Sequence, residues 1–216
     1  MNKSLKSAVA AITILISIAG SVGAAVNLEL RPANVTGAIG DTLTFDLYAV
    51  STGPDNDLVS AMDVILTWDP TYLVPAGDFD GLGSATDGVL WEFDGLLFQS
   101  SGINARDTDT NKLINDGNFL WTLAAITGEP VSIPTDGLKL VDFIFDAAAE
   151  TPGTPVAMVT TLMTENTQVF SGVEADMDIK GSLNSVNATI VPEPTGLLAM
   201  ATGMISLFGL LRRRSL

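Results

Sequence analysis

The sequence predicts an all-β protein: a single jelly-roll-type β-sandwich, flanked by an N-terminal signal peptide and a C-terminal transmembrane helix. Three observations predict it. Apolar and polar residues alternate in several short runs, the period of a half-buried strand. Gly-, Pro- and Asp-containing turn signals separate those runs. Between the two ends no long amphipathic helical pattern is found.

The elements follow in chain order. "MNKSLKSAVAAITILISIAGSVGAA" sets Lys3 and Lys6 before an apolar run from Ala8 to Ala19, then small residues. That is the layout of a secretory signal peptide cut after Ala24 or Ala25. The run is shorter than the ~20 residues of a spanning helix. Residues 1–25 are assigned to the signal, 26–190 to the sandwich and 191–216 to a tail.

Within the sandwich, "DTLTFDLYAV" turns Leu43, Phe45, Leu47 and Ala49 to a core. "SAMDVILTWDP" does the same with Met62, Val64, Leu66 and Trp68, and Asp69-Pro70 stops the strand, because proline cannot continue a central ladder. A short helical turn is expected at Pro70–Leu73. "NFLWTLAAI" supplies Phe119, Trp121, Leu123 and Ala125. "LKLVDFIFDA" sets Lys139, Val141, Phe143 and Phe145 on one face, against Leu138, Leu140, Asp142 and Ile144. Val156 to Phe170 is expected to form one or two strands. "IKGSLNSVNATIV" is expected to close the sheet with a last strand ending near Ile190. Turn signals lie at Gly53-Pro54-Asp55, Asp80-Gly81, Asp87-Gly88, Asp94-Gly95, Asp116-Gly117, Asp136-Gly137 and Thr151-Pro152-Gly153.

Composition narrows the chemistry. Of 25 acidic residues only Glu193 lies outside 26–190, and of 10 basic residues Lys3, Lys6, Arg212, Arg213 and Arg214 do. The domain therefore holds 24 acidic and 5 basic residues, a net charge of −19. That field repels nucleic acid and suits a cation or a cationic partner. The sequence contains no cysteine and no histidine. An exported fold must then stand on its core rather than on disulfides. The usual neutral-pH general base, the commonest zinc ligand and any Ser-His or Cys-His pair are excluded.

"GAIGDTLTFDLYAV" followed by "VSAMDVILTWDPTYLVPAG" resembles the first strands of cohesin-like modules, and "LVDFIFDAAAETPGTPV" resembles a later strand and turn. The shared features are Gly40-Asp41 before the strand, Trp68-Asp69-Pro70 at the end of the next, and Leu73 soon after. The resemblance covers about half the domain. It implies a nine-strand jelly roll of the kind also found in some carbohydrate-binding domains. Gly77 to Phe98 departs from it and reads as inserted loops.

"ARDTDTNKLINDGN" spaces Asp107, Asp109 and Asn111 at every second position, with Asp116 close behind. Alternating oxygen ligands suggest the start of a calcium loop. The pattern then breaks: Lys112 stands where the loop needs Gly, and Asn118 where it needs a bidentate Glu. The competing reading is a solvated acidic loop of Asx turns. Calcium is the one candidate cofactor. A pair of carboxylates can run glycoside hydrolysis, but no local motif selects a pair, so no catalytic residue is assigned. Trp68 and Trp121 fall on inward faces. Trp91, in "VLWEFDG", is the tryptophan expected at the surface and the candidate platform for a ligand ring.

The tail reads "VPEPTGLLAMATGMISLFGLLRRRSL". Thr195 to Leu211 carries no charge and as a helix spans about 25 Å, slightly short of a ~30 Å hydrocarbon core. Arg212, Arg213 and Arg214 would hold it with the acidic domain outside. Order and spacing closely resemble the PEP-CTERM sorting signal of Gram-negative bacteria: Pro192, Glu193 and Pro194, one short helix, a basic cluster. The resemblance implies recognition by exosortase, a membrane processing enzyme, with transient residence in the inner membrane and release to the cell surface or extracellular matrix. The competing reading is a permanent anchor.

Together these expectations describe an exported, non-enzymatic surface or matrix protein, structural or adhesive in exopolysaccharide or biofilm. One alternative is a cohesin-like protein- or carbohydrate-binding module. A carbohydrate-active enzyme is the least supported.

Overall fold

The computed structural model describes residues 25–54, 56–76, 91–95, 103–110, 113–126 and 129–192. The described residues contain no helix; they form strands and turns. The chain begins with β1 (Val26–Arg31), β2 (Asn34–Ala38), β3 (Thr42–Ser51), β4 (Asp57–Thr67) and the short β5 (Leu73–Pro75). Next come β6 (Trp91–Gly95), β7 (Asn118–Ala125), β8 (Val131–Ile133) and β9 (Leu138–Ala147). β10 (Thr151–Val159), the small hairpin β11 (Thr161–Leu162) and β12 (Glu165–Asn166), β13 (Gln168–Ser171), β14 (Lys180–Asn184) and β15 (Val186–Val191) complete it.

Two sheets face each other. One has the order β14-β1-β3-β9-β5, the other β2-β15-β10-β4-β7-β6. The long β4 carries extra partners: β8 shares its β7 side and β13 its β10 side. The alternating residues fill the space between. Leu43, Phe45, Leu47 and Ala49 are buried, as are Met62, Val64, Leu66 and Trp68 from the facing sheet. Phe45, Phe119, Phe143 and Phe145 are fully enclosed, each stabilising by roughly 1.5–3 kcal/mol through burial. Their rings meet edge-on or tilted: Phe45–Phe145 at 5.7 Å, Phe119–Phe143 at 5.3 Å, Trp121–Phe143 at 5.7 Å. The all-β sandwich expected from the alternation is therefore present.

Two expectations change in detail. Lys139 does not share a face with Phe143. The register steps from Leu47↔Val141 to Tyr48↔Lys139, so Leu140 is an extra residue and a bulge reverses the alternation. Leu140 and Val141 both turn inward, while Lys139 reaches Asp142 at 2.6 Å and Asp46 at 3.3 Å on the outer face. The expected single closing strand is two. β14 runs parallel to β1 in one sheet and β15 parallel to β2 in the other, so the chain crosses the sandwich at Ser185.

A candidate binding cleft at a strand fork

β4 ends at Thr67 and hands the chain to a turn. The backbone N–H groups of Tyr72 and Leu73 both donate to the Asp69 carbonyl at 3.1 Å, and Asp69 Oδ1 accepts from the Thr71 N–H at 2.8 Å. This is the helical turn expected at Pro70–Leu73, closed by an Asx bond. Trp68 anchors it from below. Its indole is buried against Phe119 and Phe145, each 5.2 Å away. Its Nε1–H donates to Asn115 Oδ1 at 3.0 Å, and Asn115 Nδ2 donates back to the carbonyls of Pro70 and Leu73. Asn115 thus ties the turn to the loop before β7.

On the other side stands β10, which pairs with β4 only at Ala157↔Thr67, Met158↔Leu66 and Val159↔Ile65. Its first half pairs with β15 instead, through Thr151↔Ile190, Thr154↔Ala188 and Pro155↔Asn187. Two prolines keep the fork open: Pro70 cannot extend β4, and Pro155 has no N–H with which to lengthen the ladder. Between the arms lies a cleft of about 500 Å³. Tyr72, Pro70, Pro155 and the edge of Trp68 give it flat apolar walls, and Asp69, Thr67 and Thr154 add polar atoms. Asp69 carries the one charge on this lining. A smaller groove of about 280 Å³ at Leu58, Val173 and Met177 lies by the start of β4.

The residues singled out in the sequence fall elsewhere. Trp91, expected at the surface, is 5 % exposed and belongs to the main core. Its place on β6, paired with Ala125 of β7, turns the indole into the sandwich, so it offers no face to a ligand. Asp107 Oδ1 accepts from the N–H groups of Asp109 and Thr110 and from the Thr110 hydroxyl at 2.7–3.0 Å. Those bonds hold its carboxyl below the usual carboxylate range. Asp116 accepts from the Asn118 N–H, and burial pushes its carboxyl up. Asp107 and Asp116 thus serve the Asx-turn reading, and the described residues hold no group of three acidic side chains placed to bind a metal. Asn111, Glu193, Pro194 and Arg212–Arg214 lie outside the described residues, as do residues 1–24 of the signal segment. Pro192 is exposed just beyond β15.

No protein-family model matches the sequence, and no curated protein does. Solved structures do match. The third cohesin ScaC of Acetivibrio cellulolyticus, in complex with the ScaB dockerin, superposes with a TM-score of 0.51 at 11% identity, covering 77% of this chain and 99% of that one. The sandwich is cohesin-like. A type II cohesin domain from the cellulosome of Acetivibrio cellulolyticus gives 0.50 at 11% identity, over 76% of this chain and 94% of its own. CaCohA2 of Clostridium acetobutylicum gives 0.50 at 15%, over 77% and 91%. At such identities the likeness is one of fold.

The cleft was only half visible in the sequence. Trp68-Asp69-Pro70 is the strand stop that its proline implies, but its role as one wall depends on the opposite wall, Gly153 to Pro155. The signals that could have pointed there were Tyr72 directly after the stop and Pro155 inside a strand pattern.

Proposed function

We propose that this chain is an exported, non-enzymatic binding module that engages a protein partner at the cell surface or in the extracellular matrix. The observation that carries the reading is the cohesin-like sandwich; one of its structural neighbours is a cohesin in complex with a dockerin. A fold of this kind presents rigid sheet faces, turns and clefts without needing catalytic groups. The charge of −19 over 26–190 supports a partner with a basic surface.

Delivery is part of the proposal. The signal segment exports the chain, and the PEP-CTERM-like tail is recognised by an exosortase-type enzyme while its short helix sits in the inner membrane of a Gram-negative cell. Removal of that helix frees the sandwich for a structural or adhesive role in exopolysaccharide or biofilm. Cell fractionation with mass spectrometry of the mature C-terminus tests delivery: an intact Arg212–Arg214 end on the exported protein would restore the permanent anchor. Crosslinking on intact cells tests the partner. Turnover of a matrix polysaccharide by the purified protein would end the non-enzymatic reading.

A further inference from the structure

The fork cleft has a second feature besides its shape. Two of its side-chain donors are already engaged within the fold. Trp68 spends its indole N–H on Asn115, and the Thr67 hydroxyl donates to the Ala157 carbonyl. Asp69 uses Oδ1 on its own turn, and no Lys or Arg lines the cleft. What the cleft presents is a tyrosine, two prolines and a half-buried carboxylate on an acidic domain.

Elsewhere the protein shows what such a set receives. On the outer face of the five-stranded sheet the Arg31 guanidinium lies 4.3 Å from the centre of the Tyr48 ring, and its Nη2 donates to Glu29 Oε2 at 2.7 Å. Aromatic ring, carboxylate and guanidinium there form a complete trio. A guanidinium is planar and weakly hydrated, so it stacks on a ring while its N–H groups meet a carboxylate. In the cleft the ring and the carboxylate are Tyr72 and Asp69, and no cation of the lining completes them.

We propose that the fork cleft captures an arginine side chain of the partner protein, with the guanidinium against Tyr72 and its N–H groups on Asp69. The proposal rests on the protein-binding reading and gives that partner a chemistry. The cleft volume lies within the roughly 300–1,000 Å³ of ligand pockets and leaves room for the flanking backbone. Pro70 and Pro155 hold the two walls apart, so the site is formed before the ligand arrives.

The test titrates the full exported protein with a capped tri-arginine peptide and follows intrinsic tryptophan fluorescence, to which Trp68 at the cleft contributes. Tri-lysine, tri-glutamate and cellohexaose are parallel arms. Saturable binding of tri-arginine is expected, weaker for tri-lysine, absent for tri-glutamate and weakened by salt. Asp69→Asn keeps the Oδ1 acceptor for Thr71 and should melt like the wild type, yet bind tri-arginine at least 10-fold more weakly. Tyr72→Ala should weaken it as well, and Glu174→Gln, in the other groove, should not. Equal affinity of wild type and Asp69→Asn would assign the binding to diffuse negative charge and overturn the proposal. Preference for cellohexaose would make the cleft a glycan site and overturn it too. If a surface partner crosslinks equally to wild type and Asp69→Asn, the arginine cleft falls while the binding module stands. If tri-arginine binds as expected and no protein crosslinks, the module reading falls instead.

Discussion

Asn104 completes the edge of β7 at Leu120. Its Nδ2 donates to the Leu120 carbonyl at 2.9 Å, and its Oδ1 accepts from the Leu120 N–H at 3.0 Å. The β6 pairing ends at Gly95↔Thr122, and the side-chain amide takes over where that ladder stops. Asn104 is fully buried with φ 60°, a left-handed conformation that Asn tolerates better than most residues.

Replacing Asn104 with Ala should cost about 2–6 kcal/mol, since two buried backbone groups lose their partners at roughly 1–3 kcal/mol each. Denaturant unfolding reads this directly. Asn104→Gly separates the causes, because glycine accepts the φ but supplies no amide. A glycine variant as stable as wild type would show that backbone strain, not the pair of bonds, sets the cost.

The same corner marks how far the sequence could be read. The inward alternation of β3, β4 and β7 is a local signal, and it matches the core. Leu120 and Ile65 sit on the opposite phase of that alternation, yet both are buried, packed with Ile103 beneath Leu162 and Val159. Their burial depends on segments far along the chain folding over the outer face, which no period of two can announce. The Leu140 bulge and the strand fork are of the same kind: each is fixed by a partner strand distant in sequence. Trp91 shows the converse, since turn residues around it suggested exposure while pairing with β7 turned it inward.

Thr167 plays a similar bridging role on the other edge of β4. Its hydroxyl accepts from the Ile65 N–H at 3.0 Å and donates to the Val159 carbonyl at 2.6 Å, at the point where β10 leaves β4 and β13 joins it. The side chain is fully buried. Thr167→Val keeps the volume and removes both bonds, so a loss of about 1–3 kcal/mol is expected, with faster amide exchange at Ile65 than at Val64. Unchanged exchange at Ile65 would mean the hydroxyl is dispensable.

Gly117 should tolerate no side chain. Its φ is 85°, and a Cβ there would meet the Trp68 carbonyl oxygen at 2.6 Å. That carbonyl's own residue donates its N–H to the Gly117 carbonyl at 2.9 Å, so neither side can retreat cheaply. Gly117→Ala is expected to destabilise by about 1–3 kcal/mol and to shift the tryptophan fluorescence, because the turn around Trp68 beneath the cleft moves. Gly153→Ala, with open space around the added Cβ, is the matched control and should stay close to wild type.

Asp63 should make stability depend on pH. Burial raises its carboxyl above the usual range, the nearby Glu165 adds to the rise, and the Thr122 hydroxyl, donating to Oδ1 at 2.7 Å, opposes it. The folded state therefore keeps this proton to a higher pH than the unfolded chain does. Between the two values the folded state binds more protons, so Asp63's contribution to stability falls as pH rises through that window and stays low above it. Asp63→Asn retains an acceptor for Thr122 and removes the charge. It should be more stable than wild type at neutral pH, by up to about 1 kcal/mol after discounting for solvent screening, with the advantage vanishing in acid. Asp107 has the opposite sign: its lowered carboxyl favours folding above its unfolded value, and that contribution is lost as pH falls through the folded one. Melting temperatures of wild type, Asp63→Asn and Asp107→Asn across the acid range should thus diverge in opposite directions as pH rises. If the wild-type and Asp63→Asn curves ran parallel from acid to neutral, Asp63 would carry no such coupling.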